Sequence, residues 1–84
     1  MITIVGVVPN PPAAGSPVCL LFTGAGSGAT VTISFDGGPP ITLAATIGAN
    51  GVSQVCFGWL PGARGADVVI AAGAEIRRTY LAAL

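Results

Sequence analysis

From Thr30 to Phe35 the chain alternates without a fault: Val31, Ile33 and Phe35 are apolar, while Thr30, Thr32 and Ser34 are small and polar. Successive side chains of a strand point to opposite faces, so this run makes one greasy face and one wet face. Comparable runs recur along the chain, and turn chemistry ends most of them. Residues 2–8 give a first strand, closed by Pro9-Asn10-Pro11-Pro12. Residues 18–23 give a second, with Val18, Leu20 and Phe22 on one face and Cys19 and Leu21 on the other. Gly24-Ala25-Gly26-Ser27-Gly28 reads as a flexible hairpin loop into residues 30–35, and Asp36-Gly37-Gly38 as the next hairpin turn. A fourth strand spans 41–47, with Ile41, Leu43, Ala45 and Ile47 in register, and Asn50-Gly51 turns it back. Strands at 52–59, 67–72 and 75–81 follow, the last pair joined at Gly73-Ala74. The final Tyr80-Leu81-Ala82-Ala83-Leu84 suits a helix in composition but is too short to nucleate one alone.

About seven short strands with frequent turns predict an all-β fold, an antiparallel β-sandwich, with a small closed β-barrel as the alternative. A chain of 84 residues allows one domain, residues 1–84, with 1–12 expected as an edge strand or an arm docking on a neighbour. The first strand is β-branched, uncharged and free of internal proline. Left bare at an edge it invites pairing with another chain, which makes Ile2 and Ile4 candidates for a partner interface.

Charge narrows the functional classes. Only six residues ionise: Arg64, Arg77 and Arg78 against Asp36, Asp67 and Glu75, for a net charge of zero. Soluble domains carry about 25% charged residues, against 7% here. Such a chain has no basic footprint for nucleic acid and no polybasic segment for anionic lipid. Its apolar runs are broken before they reach the roughly 18 residues of a membrane span. Nothing on its surface repels a second copy, so the composition points to a subunit held within an assembly, with homo-oligomerisation as one form of it. No leader precedes residues 2–5, so cytoplasmic synthesis is expected.

Catalysis is not expected. There is no histidine for a triad or a Cys–His pair, and the three carboxylates are not paired as glycoside hydrolysis requires. Two cysteines and scattered carboxylates make a poor metal set, and no cofactor is implied. Arg64-Gly65-Ala66-Asp67 reads as a loop. Trp59, closing the fifth strand, reads either as a core plug or as a partner anchor. Arg64 reads as a solvated loop charge or an interface contact. Arg77 and Arg78 are adjacent on a strand and so point to opposite faces. One of them either guards an edge against aggregation or pairs with a partner's carboxylate. Tyr80 completes the interface candidates.

The segments V-C-L-L-F-T-G, T-V-T-I-S-F-D-G-G, N-G-V-S-Q-V-C-F-G-W-L-P-G and A-D-V-V-I-A-A-G together resemble a bacterial immunoglobulin-like domain. Such modules occur in surface proteins and in virion proteins of tailed bacteriophages. The resemblance implies a virion location and a role as a capsid decoration or cement protein. Its partners would be other subunits of the particle, the major capsid protein first. The alternative is a module that binds a host surface or glycan. The resemblance also makes the second and fifth strands neighbours in one sheet, so that Cys19 and Cys56 face each other. A disulfide there and two buried free thiols both fit, and the missing leader weighs toward thiols.

Overall fold

The computed structural model describes residues 1–9 and 15–83. It holds eight strands: β1 (Thr3–Val8), β2 (Pro17–Thr23), β3 (Thr30–Phe35), β4 (Ile41–Ala44), β5 (Thr46–Ile47), β6 (Ser53–Gly58), β7 (Gly65–Ala72) and β8 (Glu75–Ala82). They form two antiparallel sheets of four, ordered β1-β2-β6-β5 and β4-β3-β7-β8. The order is that of an immunoglobulin-type sandwich, with β1, β2, β6 and β5 in the places of strands A, B, E and D. Neither sheet closes on itself, so the barrel alternative falls.

The period-two faces land where the alternation put them. Val18, Leu20 and Phe22 meet Val31, Ile33, Val68 and Ile70 across the interior, all essentially without solvent contact. Fully burying each such side chain contributes about 1.5–3 kcal/mol. In β1 the alternation breaks. Ile4 pairs with Phe22 and Gly6 with Leu21, so Val5 bulges out of the ladder. One inserted residue flips the parity, and Ile2, Ile4 and Val7 all pack toward the core.

Four expectations need correction. The strand expected at 41–47 is two strands in different sheets: Ala45 donates its N–H to the Ala29 carbonyl at 3.0 Å, and the chain crosses from β4 to β5 there. The glycine-rich loop at 24–28 joins β2 to β3 in the opposite sheet, so it is a crossover and not a hairpin. The C-terminal segment is not helical, because β8 continues to Ala82 against β7. The segment Arg64–Asp67, read as a loop, already enters β7 at Gly65. Of residues 1–12, expected as an edge strand or an arm, Thr3–Val8 form the edge strand β1, and residues 10–12 lie outside the described residues.

Cys19 and Cys56 are bonded, opposite each other on β2 and β6 with Cα atoms 4.1 Å apart. The reading as buried free thiols fails on both counts. The pair lies on the outer face of its sheet, where Cys56 is exposed, because Val18 and Leu20 take the inner face. Closing a loop of 37 residues adds up to about 4 kcal/mol in the chain-entropy account.

Candidate functional site

A concavity lies where β6 ends, and Trp59 organises it. Its indole N–H donates to the Ala63 carbonyl at 3.1 Å, a bond made in the interior. The ring stands edge-on to Phe35, centroids 5.1 Å apart, and Phe35 stands edge-on to Phe57 at 6.1 Å. Such aromatic contacts contribute about 0.5–1.5 kcal/mol beyond the area they bury. Main-chain bonds continue the ladder past β6: Trp59 donates to the Ser16 carbonyl at 3.1 Å, and Gly15 donates to the Trp59 carbonyl at 3.3 Å.

Asp36 fixes the facing side. It sits at a positive φ of 50°, a conformation that a short polar side chain tolerates. Its carboxylate accepts the N–H groups of Arg64 at 3.0 Å and Gly65 at 3.1 Å, while its own N–H donates to the Gly65 carbonyl at 3.0 Å. The β3–β4 turn and the start of β7 are thereby locked together. A cleft of about 570 Å³ opens between the β3–β4 turn and the end of β6, lined by Phe35, Pro39, Ile41, Trp59, Leu60 and Pro61, with Gly15 and Gly58 also on its wall. No charged side chain lines it. Ile41 and Leu60 on its rim are 50% and 52% exposed, whereas Trp59 is only 1% exposed. A second, smaller groove of about 440 Å³ crosses the outer face of β1-β2-β6-β5 near Val5, Leu21, Ile47 and Gln54.

The sequence candidates do not converge on this cleft. Trp59 supplies part of its wall and is otherwise core, because its indole N–H finds a partner inside the chain. Ile2 is equally buried, and Ile4 is half-buried against the core. The parity of β1 turns both inward, so neither stands as an exposed contact. Arg64 is exposed at the loop, its main chain held by Asp36. Arg77 and Arg78 lie on β8, an edge strand, opposite Ile70 and Val69. Ile70 faces the core, so Arg77 holds the inward register and turns to solvent at the rim, as an edge-guarding charge does. Tyr80 is 59% exposed on the outer face of the same strand, its hydroxyl end lying over Gly65, where a Cβ would collide with it. That edge of the sheet is the one remote from the cleft.

The carboxylates are largely occupied. Glu75 accepts the Ile2 N–H at 2.6 Å and pairs with the Met1 amine at 3.5 Å, which ties the chain's start to the opposite sheet. The Ile2 bond holds its carboxyl below the ordinary glutamate value against the opposing effect of desolvation, and the nearby terminal amine adds to the lowering. Asp36 serves the main chain as described. Among the described residues, no group of three or more His, Cys, Asp or Glu side chains gathers to hold a metal. Among the described residues, no helix is long and apolar enough to cross a membrane.

Ile41, Pro39, Leu60 and Pro61 were not singled out as site residues by the sequence. The available signal was apolar residues in turn segments, where polar ones are the rule: Pro39-Pro40-Ile41 and Trp59-Leu60-Pro61. No family model, no curated protein and no solved structure matches this chain.

Proposed function

We propose that this chain is a passive structural subunit, a decoration or cement protein on the shell of a tailed-phage virion, with the major capsid protein as its main partner. One observation carries the reading. Val5, Val8, Ile41, Ile47, Leu60, Ile76 and Tyr80 stand exposed around a chain with six ionised side chains. Exposed apolar side chains with so little charge to keep copies apart suit a subunit that neighbours in an assembly cover. Contacts of that kind bridge neighbouring subunits and stabilise the bound state by mass action. The bridge on the outer face suits a protein that ends in an oxidising environment outside the cell.

The test is stoichiometric presence in purified particles, together with particle rupture temperature. Particles that lack the chain should rupture at lower temperature, and equal robustness with and without it overturns the reading. The cleft favours a second reading, a binding module for a host surface. Its chemistry suits protein better than glycan, since sugar stacking needs an exposed ring face and Trp59 offers none. Binding of the isolated chain to intact cells, without incorporation into particles, selects that reading.

A further inference from the structure

The cleft adjoins an unfinished ladder. Along β6, residues alternate in the direction of their main-chain groups, and those of one parity serve β2. The bonds between Trp59 and residues 15 and 16 show that the odd-numbered residues face β2. Pro17, which has no N–H to give, stands opposite Gly58, as this parity requires. The even-numbered residues Gln54, Cys56 and Gly58 therefore point their N–H and C=O groups the other way, toward β5. That strand is only two residues long, and its pairing stops at Gln54. The chain that would have continued it has left at Ala45 to form β4 in the other sheet. Cys56 and Gly58 thus present an N–H and a C=O each, in strand spacing, with no strand beside them among the described residues. Gly58 is also on the wall of the apolar cleft.

An unpaired ladder beside an uncharged apolar hollow specifies its ligand by complementarity. Main-chain donors and acceptors in strand spacing are satisfied by another extended main chain. A lining of Phe35, Pro39, Ile41, Leu60 and Pro61 accepts aliphatic side chains and excludes charged ones, which would lose their hydration without a partner. We infer that this corner binds an extended, uncharged, aliphatic peptide segment of a partner protein. The segment adds as a strand along Cys56 and Gly58 and sinks alternate side chains into the cleft. The inference rests on the assembly reading only in supposing a protein partner, and it supplies the contact that such a partner makes.

Gly58→Pro isolates the main-chain part. It removes one cleft-facing N–H that β2 does not use, and added atoms at Cβ meet nothing within 4 Å. A displayed library of random peptides of about nine residues, a strand's length, is panned on the wild-type chain. The selected peptides should alternate aliphatic and neutral residues, shift the amide resonances of Cys56 and Gly58, and quench or shift the lone Trp59 emission. Gly58→Pro should weaken them about tenfold, the worth of one well-made hydrogen bond. Methylating the peptide's own pairing amides should do the same on the wild-type chain, so the test survives if Gly58→Pro fails to fold. No enrichment, charged consensus sequences, or affinity indifferent to both changes overturns the inference. A chain that selects such peptides but is absent from particles keeps the cleft and loses the virion role. The reverse pair of results does the opposite.

Discussion

The two open sides of the sandwich are treated differently. Along β1 and β8, each edge carries a defence: the Val5 bulge breaks the ladder of β1, and Arg77 and Arg78 stand on β8. Met1 and Ile2 reach across to Glu75 and fasten the two sheets together. At the corner between β4 and β6 the described residues put no charged side chain on the wall, only an apolar hollow beside main chain that no described strand pairs. An exposed edge is a hazard that folds usually manage. A chain that guards one side and leaves the other bare marks the bare side as the one with a use.

The comparison is broken most forcefully from the cleft's wall. Trp59→Ala should cost roughly 3–5 kcal/mol, seen as a lower urea midpoint, because it empties the aromatic cluster and strands the Ala63 carbonyl. Replacing both Cys19 and Cys56 by serine should cost about 2–4 kcal/mol in the same measurement. Mild reductant should reproduce that loss in the wild-type chain alone. On the guarded side, Gly24→Ala should cost about 1–3 kcal/mol. Its Cβ would overlap the Met1 carbonyl, at a φ of +83° that only glycine adopts freely. Melting temperature should fall with the loss of the N-terminal fastening.

The smallest effect is electrostatic. The folded-state pKa of Glu75 is depressed, so its contribution is complete above the ordinary glutamate range and fades as pH falls through the folded value. Melting curves across that acid window should flatten in Glu75→Gln relative to the wild-type chain. A Glu75→Gln profile that keeps the full acid slope would show that the fastening does not titrate.

How much of this was legible in the sequence follows from range. Local alternation in residues 18–23 and 30–35 announced both faces of β2 and β3, because one period-two run is enough to orient a strand. The bulge at Val5 was not legible, since nothing in Ile4-Val5-Gly6-Val7 beyond the glycine marks a parity change. The break at Ala45 was equally silent: its cause is a hydrogen bond to Ala29, a contact that sequence spacing does not encode. The cleft exists because of that break, so it was hidden with it. Trp59 was noticed as a residue type, and Cys19 and Cys56 were expected to face each other through the family resemblance, as they do. Which face of the sheet Trp59 and the cysteine pair occupy depended on the parity of β6, which the register settles.

The measurement closest to the central claim is the solution mass of the isolated chain as its concentration is raised, by light scattering, beside a variant with Ile41→Asp and Leu60→Asp. The wild-type chain should grow in mean mass and precipitate early, and the variant should stay a single 8.2 kDa species. If the wild-type chain itself remains monodisperse at millimolar concentration, the open corner has no appetite for a partner, and the account fails.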